Sequence, residues 1–293
     1  MTHAFTGAGV ALITPFNEDK SIDYSALERL IENQISGGID YLVVLGTTAE
    51  TPALSEIEKK EIVRFVIEKN AGRLKIVVGM GSNNTISLVE SIKNTDFNGV
   101  DAILSVTPYY NKPTQEGLFQ HFKMVVEACP IPVILYNVPG RTGVNMDADT
   151  TLRIAHLSDK VVAVKEASGD LGQFAKIITN APSYFKVISG DDSLTLPSVT
   201  MGSIGVISVI ANALPERLSQ LTHASLSGNT AHASQLHLQM AEMLKLIFRE
   251  GNPGGVKALM EMMGTAKNQL RLPLVPVSSV TYSLIEKELN KIS

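Results

Sequence analysis

The 293 residues contain a single cysteine, Cys129. No disulfide can form within the chain, which suits a reducing compartment. Charge of neither sign dominates: 25 lysines and arginines stand against 29 acidic residues, for a net charge of −4. The basic residues form no stripe or block, so the electrostatic footprint of a nucleic-acid binder is missing. No uninterrupted apolar run reaches the roughly eighteen residues of a membrane-spanning helix. The start, MTHAFTGAGVALITPF, lacks a basic region followed by an apolar run of signal length. A soluble cytoplasmic protein is expected. The histidines (His3, His121, His156, His223, His232 and His237) form no HExxH, and His232 and His237 read as helix-face residues, not a metal pair. No GxGxxG follows the first apolar run, and GMGSNN (79–84) is too weak a glycine pattern to mean a nucleotide.

What is present is apolar content, 44%, enough for a sizeable core, distributed in short β-branched runs. These are GVALI (9–13), YLVVL (41–45), KIVVG (75–79), DAILS (101–105), VILY (133–136), VVAVK (161–165), KVIS (186–189) and GVISV (205–209). Near-continuous apolarity, without alternation, marks strands covered on both faces of a parallel sheet. Amphipathic helical patterns separate them, over 24–36 behind Asp23 as N-cap, then from Ser55 with Glu58 completing a capping box. Further patterns cover 85–94, 115–128, 147–157, 171–180, 194–201 and 215–225. Eight strand–helix units over about 225 residues predict a closed (β/α)8 TIM barrel; an open doubly wound sheet is the alternative. After SLSGNT the alternation stops. The barrel is therefore assigned to 1–226 and a C-terminal helical appendage to 227–293. Met240, Met243, Met260, Met262 and Met263 read as core filler.

In such a barrel the C-terminal ends of the strands converge on one site. Tyr136 and Lys165 are read as the last residues of their strands, and the turn NVPGRTG after Tyr136 carries Arg141. An amine attacks a carbonyl carbon only in its unprotonated form, which an apolar wall favours. With a phenol and an arginine beside it, the lysine points to imine chemistry on a carboxylated substrate. The other strand ends supply Thr47 and Thr48 in GTTAE, Tyr109 and Tyr110 in TPYYNKP, Gly190 in SGDD and Ile207. Each has a plainer reading: threonines as turn formers, the tyrosines as an ordinary proline-bounded loop, Arg141 as a surface charge, Lys165 as a strand-terminal amine reaching water. Their convergence favours the site. Asp191 and Asp192 stand where barrel enzymes usually hold phosphate, and they disfavour a phosphorylated substrate.

Taken together, GTTAE, TPYYNKP, YNVPGRTG, VVAVKEASGD, ISGDD and GVISVIAN resemble the dihydrodipicolinate synthase family, within the pyruvate-dependent class I aldolase and N-acetylneuraminate lyase superfamily. The resemblance covers essentially the whole chain, and YNVPGRTG is its discriminating piece. It implies condensation of pyruvate with L-aspartate 4-semialdehyde in lysine and diaminopimelate biosynthesis. Lys165 would form the Schiff base with pyruvate and Tyr136 would move protons. Thr47 would link Tyr136 to Tyr110 of a neighbouring subunit. Thr48, Gly190 and Ile207 would hold pyruvate, and Arg141 the semialdehyde carboxylate. No metal or organic cofactor is implied. A homo-oligomer is, usually a tetramer built as a dimer of dimers, with a dimer as the minimum. The chain departs from the family pattern at Ala49, where GTTGE is usual, and at NPGG in place of NPIP. At the family's lysine-inhibition site Tyr109 and Asn83 match, but Ser87 replaces a glutamate, and Glu56 and Lys59 replace histidines. Weak or absent feedback is expected. A related aldolase acting on a sugar acid, and a catalytically silent keto-acid binder on the same scaffold, are the other readings.

Overall fold

The computed structural model describes residues 3–292. Met1 and Thr2, at the start of the 1–226 region and of the segment read as lacking a signal, and Ser293, closing the 227–293 region, lie outside the described residues. Eight strands follow one another around a closed barrel: β1 (Gly7–Ala11), β2 (Tyr41–Val44), β3 (Lys75–Gly79), β4 (Ala102–Val106), β5 (Val133–Asn137), β6 (Val161–Glu166), β7 (Lys186–Ser189) and β8 (Gly205–Ser208). Every pairing is parallel, and β8 returns to β1 through Gly7↔Gly205 to Val10↔Ser208. The helices are α1 (Tyr24–Ser36), α2 (Glu56–Asn70), α3 (Thr85–Lys93), α4 (Gln115–Ala128), α5 (Pro139–Thr142), α6 (Ala148–Ala155), α7 (Leu171–Asn180), α8 (Thr195–Thr200) and α9 (Pro215–Leu226). Beyond them come α10 (Thr230–Phe248), α11 (Gly254–Met262) and α12 (Ser279–Ile292). The TIM barrel expected from the alternating runs is what the chain forms.

The runs are apolar throughout because both strand faces are buried. Alternate residues point inward, where Ala11, Tyr41, Val43, Val77, Leu104, Ile134, Tyr136, Ala163, Ile188 and Ile207 fill the lumen. Their neighbours Val10, Leu42, Val44, Ile76 and Val78 face the helices on one side of the barrel, and Ile103, Val133, Leu135, Val164 and Val187 do so on the other. A register shift between β5 and β6 at Val133/Ile134 interrupts this period of two near the start of β6, and beyond it the period decides which way the strand-end residues point.

Element ends differ from the sequence reading in instructive places. β1 runs from Gly7 to Ala11, not from Gly9 to Ile13. Leu12 and Ile13 are equally buried but have left the strand: the Ile13 N–H donates to Asn212 Oδ1 at 2.9 Å, and Asn212 Nδ2 donates to Ala11 O at 2.8 Å. The Leu12 N–H still donates to Val43 O of β2 at 3.0 Å, so it is at Ile13 that burial without strand pairing lengthens the apolar run. β5 and β6 each extend one residue further than expected, to Asn137 and Glu166. The 194–201 pattern divides into a 3-10 turn, Asp192–Leu194, and the short α8. Met240, Met243 and Met260 are core residues, whereas Met262 is half-buried and Met263 partly exposed. Among the described residues no helix is long and apolar enough to cross a membrane.

Candidate active site

Tyr136 and Lys165 are paired in register on β5 and β6, one residue short of the strand ends, and the period of two turns both into the lumen. They are 6% and 5% exposed, so each reaches solvent only through the barrel mouth. Lys165 Nζ lies over the face of the Tyr136 ring, 4.4 Å from its centroid. The space beside the amine is kept by Gly190, after β7. A Cβ at that position would stand 2.7 Å from Ala167 Cβ and 3.0 Å from Lys165 Cε, forcing the lysine stem aside. The Gly190 N–H donates to Glu166 O at 2.8 Å, which ties the glycine to the strand carrying the lysine.

One residue further on, the same alternation turns Asn137 and Glu166 outward, beneath the helices. Both are fully buried. Asn137 Nδ2 donates to both Glu166 carboxylate oxygens at 3.1 Å, Gln173 Nε2 to Oε2 at 2.8 Å and the Ser168 N–H to Oε1 at 2.8 Å. Burial pushes the Glu166 carboxyl above the usual carboxylate range, and these hydrogen bonds oppose that shift.

Across the mouth, Thr47, Thr48 and Ala49 form a 3-10 turn after β2. Thr47 is half-buried, and its hydroxyl makes no hydrogen bond with Tyr136 or any other described residue. Thr48 is buried and its hydroxyl accepts from Asn252 Nδ2 at 3.0 Å. Ala49 does not occupy the left-handed region, so its methyl needs none of glycine's freedom; Glu50, next to it, does, at φ 56°. Glu50 is buried and meets Lys257 Nζ of α11 at 2.5 Å, while its other oxygen accepts the Arg271 N–H at 2.9 Å. Lys257 Nζ also donates to Thr14 O and Gln269 O, both at 2.8 Å, and sits 4.3 Å from the Phe16 ring centroid. The segment beyond 227 thus holds the threonine turn and Glu50 next to it, through Asn252 between α10 and α11 and Lys257 of α11.

Of the remaining predicted residues, Ile207 shares the lumen with Tyr136, and the tyrosines of TPYYNKP and Arg141 are exposed to different degrees. Tyr110 is 85% exposed, adopts φ 74° and makes no hydrogen bond with any described residue. Tyr109 is partly exposed, and its carbonyl accepts from Asn83 Nδ2 at 3.3 Å. Arg141 sits exposed on α5, which Gly143 ends in the left-handed region at φ 76°. A Cβ on Gly143 would come within 3.0 Å of Lys112 Cε, so the TPYYNKP loop lies against the Arg141 turn. Ile207 is wholly buried in the lumen. Asp192 is buried too, and its carboxylate accepts the Val209 and Ile210 N–H groups at 2.9 and 3.2 Å. The backbone donors after β8 that would otherwise suit a phosphate are occupied. Outside the lumen, a cavity of about 850 Å³ opens between α2 and α3, with Glu56, Lys59, Ser82 and Ser87 in its walls. Lys59 and Glu56 pair there at 2.7 Å.

A sequence model of the dihydrodipicolinate synthetase family matches residues 4–292. The chain belongs to that family. A relative from Parabacteroides distasonis, a 4-hydroxy-tetrahydrodipicolinate synthase, is 54% identical over 287 residues, covering 98% of this chain and 97% of that one. Dihydrodipicolinate synthase from Thermotoga maritima superposes with a TM-score of 0.96 at 40% identity, covering 99% of each chain. The chloride-inhibited dihydrodipicolinate synthase of Acinetobacter baumannii, solved in complex with pyruvate, gives 0.95 at 36% identity over 98% of this chain and 99% of that one. The family and fold expected from the motifs are both borne out. Sequence reasoning missed the buried supports of this candidate site: Glu166, Asn137 and Gln173 on one side, Glu50, Lys257 and Asn252 on the other. The signal was a charged residue inside an apolar pattern, as in VVAVKE and GGVKALM.

Proposed function

We infer that the protein is a Schiff-base-forming lyase that condenses pyruvate with L-aspartate 4-semialdehyde to 4-hydroxy-tetrahydrodipicolinate, in the cytoplasm, for lysine and diaminopimelate biosynthesis. The observation that carries this reading is the Lys165 amine held over Tyr136 in a lumen that Gly190 keeps open. Lys165 attacks the keto carbon of pyruvate and water leaves as the imine forms. The protonated imine accepts the electron pair released when the methyl group loses a proton, giving an enamine. That carbon attacks the semialdehyde's carbonyl carbon, with Tyr136 moving protons at both stages. The substrate's own amine then displaces Lys165 and closes the ring, returning the enzyme without an added cofactor. Thr48, Gly190 and the backbone around Ile207 hold pyruvate. Arg141 offers a planar pair of donors for the semialdehyde carboxylate. Thr47 joins Tyr136 to Tyr110 of a second subunit, so the working form is at least a dimer and is read as a dimer of dimers. The exposed, left-handed Tyr110 supports that sharing. In this reading 1–226 carries the chemistry and 227–293 supports it.

Borohydride added with pyruvate should leave a reduced adduct on Lys165, located by peptide mass spectrometry, and Lys165→Ala should abolish both adduct and turnover. An adduct on another residue, or none on folded protein, would overturn the reading. Feedback by lysine is weak, because Ser87 lacks a carboxylate for the inhibitor's amine. A titration showing strong inhibition at low millimolar lysine would refute that.

A further inference from the structure

The amides around Glu166 have their directions set by partners outside the carboxylate. Asn137 Oδ1 accepts the Met146 N–H at 2.9 Å, so its Nδ2 must face Glu166 and Asn145 Oδ1, the latter at 2.7 Å. Asn145 Nδ2 then donates to Gln173 Oε1 at 3.0 Å, which leaves Gln173 Nε2 for Glu166 and for Met146 O at 3.2 Å. Every group aimed at the carboxylate is therefore a donor, and none has a free oxygen to turn toward it. Asn145 is fixed from its other side by Gln115 Nε2, which donates to Asn145 O at 2.8 Å.

We propose that Glu166 is a positioning residue for the reaction, an acceptor-only hub that locks the ends of β5 and β6 from outside the barrel and fixes Lys165 against Tyr136. The inference rests on the reading of Lys165 as the nucleophile. Asn137 follows Tyr136 directly and Glu166 follows Lys165 directly, so the hydrogen bonds between them set where the two strand ends stand. The period of two passes that placement to the inward side chains next to them. Through Asn145 the same hub holds the segment that leaves the Arg141 turn. Glu166 touches no substrate; its effect is on the angle at which the amine meets the keto carbon, and small errors there are costly.

Glu166→Gln tests this with little change of shape. A glutamine there places an NH2 against Asn137 Nδ2 or Gln173 Nε2, a donor facing a donor. In folded variant protein the adduct should still map to Lys165, but imine formation at saturating pyruvate, followed by timed borohydride quenching, should slow by about 10- to 100-fold. A purely structural role predicts a lower melting temperature with an unchanged rate in the folded protein. A rate within twofold of the unmodified protein overturns the proposal. If Glu166→Gln does not fold, Gln173→Ala decides: a slowing of about threefold or more upholds the hub, and none refutes it. Failure of the unmodified protein to form any adduct would instead remove the reading of Lys165, and the inference with it.

Discussion

Two buried carboxylates hold opposite sides of the barrel mouth, and they are compensated differently. Glu166 is met only by neutral donors, all from β5, the loop after β6 and α7. Glu50 is met by the Lys257 ammonium group, which arrives from α11 far along the chain, and by the Arg271 N–H. Burial pulls Lys257 down to about 8, against the attraction of Glu50, which acts to raise it. The amide cage is local and directional: it specifies which atom faces which, and so serves placement. The ion pair spans the fold: it joins the C-terminal helices to the threonine turn, and once both charges are buried neither can be left alone. One support links the strand ends that carry Tyr136 and Lys165, while the other ties the C-terminal helices to the barrel.

The charged side is the easier to break. Lys257→Met should destabilise the protein by about 3–5 kcal/mol in denaturant titration, because Glu50 is left buried without its counter-charge. Adding Glu50→Gln should restore most of that loss. A single variant within about 1 kcal/mol of the parent would show that the pair is not the tie described. The amide side should give less. Asn137→Ala should cost about 1–3 kcal/mol, since the Met146 N–H and one set of Glu166 bonds are orphaned, and equal losses on both sides would erase the distinction. The smallest effect belongs to the rim of the charged side, where Arg271 Nη2 meets Glu58 at 2.6 Å and both groups are partly exposed. The hydrogen bonds from Arg271 hold the Glu58 carboxyl at about 2, below its ordinary 4.5. Glu58 therefore contributes stability that is complete above 4.5 and is lost as pH falls from 4.5 through about 2. Arg271→Leu should flatten that part of the acid-unfolding curve; an unchanged slope would assign it to other groups.

Much of the fold was legible. Apolar runs without alternation announced a sheet covered on both faces, and their count and spacing announced closure. Strand ends were less so, because a residue such as Ile13 is as buried as strand residues while its backbone N–H is held by the Asn212 side chain. Of the site, Lys165 and Tyr136 could be singled out because each is a chemically conspicuous residue closing an apolar run. Glu166 and Asn137 could not be given a role in the same way. Next to a reactive residue, a polar side chain looks like part of a loop until the strand is known to run one residue further. Lys257 was hidden for a different reason: a lysine on a helix ordinarily reaches water, and only its distant partner explains its burial.

The sequence by itself determined the barrel, the family, and the lysine and tyrosine of the mouth, because these depend on local periodicity and on short motifs. The tertiary structure alone decided that the lysine amine lies over the tyrosine ring, that Glu166 faces a cage of donors, and that Lys257 reaches Glu50. Those are contacts between segments up to 207 residues apart, brought together by barrel closure and the packing of the last helices. No local pattern encodes them: register and closure choose the partner, and periodicity chooses only the direction in which each side chain points.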